Sequence, residues 1–259
     1  MKILLATLFL SMIMSAVSAN SYYSQDDIDL INGQIKDGEL KTELQIIASK
    51  SHTFNTYKDA RKYLYTNIYL EKDDNDRYFV EDIYCEKKVF NNAGPTSMPR
   101  GSKTNIEHSW PQSKFSNEFD KPLQKGDLHH LFVVNSSANH LRGHFNFGEV
   151  DSYYTAKGRC KNAGLGVLVK TPAHVAWSSN DYYEPPAEFR GNIARALFYF
   201  ATRYNKKIND TQEYFLRKWH KEDPVTALDQ ERNDRIMEIQ GNRNPFIDHP
   251  ELVDRIKNL

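Results

Sequence analysis

Between Thr104 and Glu149 the chain gathers five of its nine histidines: His108, His129, His130, His140 and His144. Glu107, Asp127, Asn135, Asn139, Arg142 and Glu149 stand among them. Imidazole, carboxylate, amide and guanidinium groups are costly to bury without partners. Any fold for this segment must therefore satisfy each group or turn it toward a site. The same mix is what metal-assisted hydrolysis uses. The other four histidines, His52, His174, His220 and His249, are scattered.

Local signals give this segment an order. Thr104–Trp110 is β-compatible and Pro111 ends it. Asp127–Val134, rich in Leu, Phe and Val, is a second strand candidate. Asn135 is a good N-cap, Ser136–Arg142 makes two helical turns, and Gly143 stops them. Asn139 and Arg142, three apart, share a helix face. Glu107 and His108 are adjacent, so a regular strand would point them to opposite faces. Both serve one site only if the strand bends or ends there, and the nearby Pro111 favours an ending. His129 and His130 likewise point apart, so at most one reaches a common site. His140 and His144 would suit zinc only if the helix ran on past Gly143, and the two cysteines lie far away in sequence. Carboxylate and amide oxygens suit a harder cation, magnesium or calcium.

The rest of the chain supplies a scaffold. With Lys+Arg at 34 and Asp+Glu at 34, a uniformly basic nucleic-acid coat is excluded, and polyanion binding would need a local basic surface. At 259 residues and 39% hydrophobic the chain can bury a sizeable core. Met1-Lys2, the apolar run Ile3–Val17 and small residues up to Ala19 have the layout of a secretory signal over residues 1–19, with a mature start at Asn20. Residues 20–259 then read as one domain, opening on a loose stretch over 20–38. An oxidising destination permits a bridge between Cys85 and Cys160; two free buried thiols are the alternative. Helices are predicted over Glu39–Lys50, after the Thr56/Asp59 cap, from Pro186 onward, over Thr211–His220, and from Thr226 to Gln240 before Gly241. In the first of the C-terminal helices Arg195, Tyr199 and Arg203 form a polar stripe. Tyr78–Tyr84 and Gly164–Lys170 are strand candidates, and Trp177–Pro186 reads as a loop. Asp73–Asp76 fails the calcium-loop spacing and reads as a solvated turn. The fold class is α+β: helices around a small antiparallel sheet.

Three blocks in order carry a family resemblance. Asn105–Ser113 with Asp127–Leu131 and Asn139–Glu149 is the first; Glu184–Pro186 with Arg190–Ala196 is the second; Gln240–Pro250 is the third. Together they resemble the endonuclease I family, secreted or periplasmic bacterial nucleases with a ββα-metal (His-Me finger) site. The resemblance implies a metal-dependent, sequence-tolerant endonuclease acting on DNA, RNA or both and leaving 5′-phosphate ends. It implies that His108 is the general base, and that Glu107 and Asn139 hold a divalent cation, Mg2+ first, with Ca2+ or Mn2+ as alternatives. Arg142, His129 and Arg195 are the substrate-binding candidates, with Arg100 a further candidate for the scissile phosphate. The expected partner is nucleic acid, not a membrane, and the expected state a monomer. Two rival readings are a non-catalytic nucleic-acid-binding protein on the same fold and a zinc hydrolase using the histidine cluster.

Overall fold

The computed structural model describes residues 22–99, 104–149 and 182–259, with the backbone of two further strands. Residues 1–19, Arg100, Cys160 and His174 lie outside the described residues. Helix α1 (Gln25–Asn32) begins at Ser24, whose side chain and that of Asp27 form a reciprocal capping box. This start signal overrides the loose N-terminus predicted over 20–38. The helix buries Ile31, and the Tyr23 hydroxyl donates to Asp248 at 2.7 Å. Helix α2 (Asp37–Ser49) follows, burying Leu40, Leu44, Ile47 and Ala48 as their spacing predicts. Thr56 caps α3 (Tyr57–Tyr63), which runs on through a π turn over Leu64–Ile68.

Strands β1 (Leu70–Lys72), β2 (Tyr78–Asp82) and β3 (Lys87–Val89) form an antiparallel meander. The β1–β2 connection is the exposed turn the sequence predicts, held by an Asp73–Arg77 ion pair at 2.6 Å. Cys85, just beyond β2, is disulfide-bonded.

Strand β4 (Thr104–His108) leads through α4 (Lys121–Gly126) to β5 (Leu131–Asn135). The pair is antiparallel, with Ile106 opposite Val133 and His108 opposite Leu131. Helix α5 (Ser136–Arg142) follows at once; Asn135 Oδ1 accepts from the Ser137 and Ala138 amides, and Gly143 ends it at φ 54°. The strand predicted from Asp127 starts instead at Leu131. Asp127 accepts the His129 amide and folds Leu128–His130 into a 3-10 turn.

A third sheet joins β6 (Asn146–Phe147), β7 (Tyr154–Thr155), β8 (Val167–Val169) and β9 (Tyr182–Glu184) in the order β6-β9-β8-β7, with β6 and β9 parallel. The loop predicted over Trp177–Pro186 thus contains β9 within its described part. Helices α6 (Arg190–Arg203), α7 (Asp210–Glu222), α8 (Ala227–Gln240) and α9 (Pro245–Asp248) complete the α+β fold.

Helix α6 is the centre of the packing. Every residue in it except Arg190 and Asn192 is buried, because α2, α7, α9 and the 128–130 turn all pack against it. A helix buried all round carries no solvated stripe. Tyr199 Oη donates to Asp127 Oδ2 at 2.9 Å, and Tyr204 Oη to the same oxygen at 2.7 Å. Gln240 Nε2 donates to Asp127 Oδ1 at 2.9 Å, while Gln240 Oε1 accepts the Leu128 amide at 2.8 Å. Asn242 donates to the Ala48 carbonyl and to Tyr199 Oη, and Asn244 donates to the Arg195 carbonyl at 3.0 Å. The block Gln240–Pro250 is thus a polar girder joining α2, α6 and the 128–130 turn.

Asp127 is the hub of that girder. Burial alone would raise its pKa, but the imidazoles of His52, His129 and His130 and the Gln240 donor outweigh burial and hold the carboxyl below the usual range. A depressed acid contributes stability above its unfolded pKa of about 3.9 and loses it as pH falls toward the folded value. Asp127→Asn should cost about 2–3 kcal/mol at pH 7. The gap to wild type should shrink as pH drops below about 4. Urea unfolding at both pH values reads this; superimposable curves at pH 7 would remove the hub.

Candidate functional site

The end of β4 and the length of α5 face each other across a cleft of about 340 Å³ lined by Glu107, His108, Gln112, Asn139, Arg142 and His144 among others. Four of the sequence-predicted site residues meet here. Glu107 and His108 are both paired residues of β4, opposite Phe132 and Leu131, and the strand ends at His108; both line the cleft.

Arg142 sets that ending. Its Nη1 donates to the His108 carbonyl at 3.0 Å and its Nη2 to the Ser109 carbonyl at 2.7 Å. The same Nη1 lies 2.8 Å from Glu107 Oε1, with both side chains 2% exposed, and the guanidinium sits over the Phe147 ring. Arg142 therefore positions the strand end. With its guanidinium committed to these partners it is not placed to meet substrate, which corrects the substrate-binding expectation.

Glu107 is fully enclosed. Desolvation raises its pKa to about 7, against the lowering effects of Arg142 and the Tyr84 hydroxyl. The contact with Arg142 is one of charge rather than alignment, and Glu107 Oε1 accepts no hydrogen bond. Asn139 Nδ2 donates to Asn105 Oδ1 at 2.9 Å and to the Ile106 carbonyl at 3.3 Å. Pinning the amide nitrogen to β4 fixes the side chain at the cleft, and its oxygen accepts no hydrogen bond among the described residues. The site therefore offers two hard oxygen donors, the Glu107 carboxyl, ion-paired with Arg142, and the Asn139 amide oxygen, of the kind that suits Mg2+, Ca2+ or Mn2+.

His108 Nε2 lies 3.2 Å from the Lys125 carbonyl, and Nδ1 lies 3.4 Å from Gln112 Nε2. A carbonyl can only accept, so Nε2 carries the proton and Nδ1 keeps its lone pair. Burial, then the neighbouring His130, lowers the pKa to about 3, so the ring is neutral at physiological pH. Gln112 and the Lys125 carbonyl were not legible in the sequence. Gln112 lies in the first resemblance block but carries no role there, and Lys125 acts through its backbone.

Two other expectations are corrected. His129 is wholly buried behind the cleft, with Nε2 donating to the Asn242 carbonyl at 3.1 Å and its ring 4.5 Å from that of Tyr199. Arg195 is also wholly buried, donating to the Asp223 carbonyl at 2.8 Å and paired with Asp229 at 3.2 Å. The 3-10 turn and the enclosed α6 account for both. His130 Nε2 donates to the Gln124 carbonyl at 2.7 Å. With His108, His129 and His130 each bound to a different carbonyl, the histidine cluster of the sequence does not converge as zinc ligands would. Among the described residues no group of three or more His, Cys, Asp or Glu is placed to hold a metal.

Breaking a buried ion pair leaves the surviving charge uncompensated, at a cost of about 3–5 kcal/mol. Arg142→Met should therefore destabilise strongly, and adding Glu107→Gln should return a large part of the loss. Thermal melts of the two single variants and the double variant test this. Strictly additive losses would refute the coupling.

A model of the Endonuclease I family matches residues 37–251. An extracellular ribonuclease of Bacillus amyloliquefaciens is 34% identical over 171 residues, which cover 59% of this chain and 53% of that protein. An extracellular ribonuclease of Bacillus subtilis is 32% identical over 171 residues, with the same coverage of 59% and 53%. An extracellular deoxyribonuclease of Aeromonas hydrophila is 29% identical over 133 residues, covering 51% of this chain and 52% of that protein. The chain spans about half the length of the curated relatives it matches. Because the family model extends from α2 to beyond α9, across the strand and helix that line the cleft, the chain belongs to the Endonuclease I family.

Proposed function

We propose that this protein is a secreted, divalent-metal-dependent endonuclease that hydrolyses phosphodiester bonds of DNA, RNA or both and leaves 5′-phosphate ends. The observation that carries the reading is the convergence of Glu107, His108 and Asn139 on one cleft in a chain of this family. Relatives named as ribonucleases and deoxyribonucleases support a site tolerant of either sugar. Their extracellular and periplasmic names, with the apolar run Ile3–Val17, support export. No helix among the described residues is long and apolar enough to cross a membrane.

Each residue has a separable task. Gln112 Nε2 and the Lys125 carbonyl hold the His108 ring so that Nδ1 can take a proton from a water attacking phosphorus. The P–O3′ bond breaks as the new P–O bond forms and the departing 3′ oxygen takes a proton from solvent, so the products are a 3′-hydroxyl and a 5′-phosphate. Glu107 and Asn139 would hold the cation, which when bound supplies electrostatic stabilisation of the charge developing on the phosphate. Arg142 orients Glu107 and the strand end without touching substrate. The tautomer imposed on His108 favours catalysis over passive binding of nucleic acid.

His108→Ala should lower turnover by at least about 100-fold while the protein stays folded, the low end of general-base contributions. Asn139→Ala should lower stability in chelator only by the about 1–2 kcal/mol of its hydrogen bonds to β4 yet weaken Mg2+ activation strongly, whereas Asn139→Asp should retain partial activity. Plasmid DNA and RNA cleavage against Mg2+ concentration, with a chelated control, is the measurement. Wild-type cleavage that survives exhaustive chelation, or superimposable Mg2+ curves for the three Asn139 forms, would overturn the metal assignment.

A further inference from the structure

Beside the cleft lies a second pocket of about 380 Å³, and Gln112 forms a wall of both. Phe54, Tyr57, Lys121 and Lys125 also line it. Phe54 is 52% exposed and lies in the connection between α2 and α3. The Tyr57 ring lies 5.4 Å from the His108 ring, so the pocket begins one side chain from the proposed base. Lys125 Nζ stands 4.9 Å from the centre of the Tyr57 ring, and Lys121 is exposed at the rim.

We infer that this pocket takes one unpaired nucleobase of the strand whose phosphate occupies the cleft, with Phe54 as a stacking surface. The inference rests on the nuclease reading and adds a substrate form to it. The chemistry is the pairing that single-stranded nucleic acid selects: an aromatic face for the base with cations for the flanking phosphates. The pocket's size is within the range of small-ligand sites. Its continuity with the cleft through Gln112 puts the base and the phosphate on neighbouring nucleotides. A base within a duplex is stacked and paired, and reaches such a pocket only after unstacking. Single strands, loops and ends are therefore the favoured substrates.

The backbone behind the pocket is tightly set. A Cβ at Gly126 would lie 2.0 Å from the Asn55 carbonyl oxygen, so the α4 end and the Phe54 segment are in direct contact. Phe54 itself projects from this support, and its removal leaves the support in place.

The test uses the full chain, Phe54→Ala and Phe54→Trp, with Mg2+, on a single-stranded oligodeoxynucleotide and on an abasic oligomer of equal length. Anisotropy binding of both oligomers in chelator, where nothing is cut, is measured in parallel. Wild type should bind and cleave the base-bearing strand in preference to the abasic one. Phe54→Ala should raise KM and Kd on the base-bearing strand about tenfold. It should have little effect on kcat, and Phe54→Trp should restore the preference. Unchanged KM and Kd in Phe54→Ala would overturn the pocket. Equal losses on both oligomers would also overturn it, since Phe54 would then act without a base. If wild type cuts neither oligomer nor an RNA strand of the same length, the nuclease reading fails; a Kd preference lost in Phe54→Ala would still establish the base subsite, and no preference would overturn it.

Discussion

The Arg142 guanidinium is the contact on which the cleft depends. It takes the carbonyls of His108 and Ser109, where β4 would otherwise have to find further ladder partners, and it compensates a carboxylate that has almost no water. A buried charge is tolerated only when paired, so Glu107 and Arg142 each make the other's position affordable. The strand consequently stops where two adjacent side chains must share one cleft. At the opposite end of α5, Asp82 Oδ1 accepts the amides of Tyr84, Cys85 and Asn135, tying the β5–α5 junction to the segment that carries the disulfide. The helix that presents Asn139 is thereby held at both ends by buried charged side chains.

Much of this was legible because it is local chemistry. Asn135 and Gly143 mark the limits of α5, and Thr226, Asp229 and Gly241 mark those of α8, through caps whose donors and acceptors lie within a few residues. The stop of β4 near Pro111 was readable for the same reason. What was not legible depends on distant partners. Arg195 looks available to substrate until the Asp223 carbonyl and the Asp229 carboxylate enclose it, and Arg203 until Phe119 and Tyr204 cover it. His129 looks like a strand residue until Asp127 draws its amide into a turn. Lys125 contributes a carbonyl, for which no side-chain pattern exists.

Density of polar groups was a good guide to where the site lies and a poor guide to which groups serve it. Asp127, His129, Gln240 and Asn242 are as polar as the cleft residues, yet they lie behind it and bond mainly to one another or to main chain. Such networks stabilise when complete and are costly when broken. Glu107, His108 and Asn139 differ in lining the cleft, whereas His129 and His130, whose Nδ1 atoms also lack a hydrogen-bond partner, lie buried behind it. Position at the cleft, rather than polarity as such, separates the candidate reactive groups from the girder.

This division has a consequence for the stability of the site. Helix α5 has only seven residues, fewer than an isolated helix needs to persist in water. Its order therefore comes from its anchors: the Asn135 cap, the Asn139 contacts with β4, and Arg142. Two of those three anchors are also the groups that hold or orient the proposed cation site. Metal affinity and local folding of α5 are then linked quantities, because ligands that bind the folded form alone stabilise it by mass action. The girder around Asp127 is separate from this linkage, since none of its bonds involve Glu107, Asn139 or Arg142. The scaffold can therefore remain rigid while the short helix that carries half the cleft tightens with its ligand.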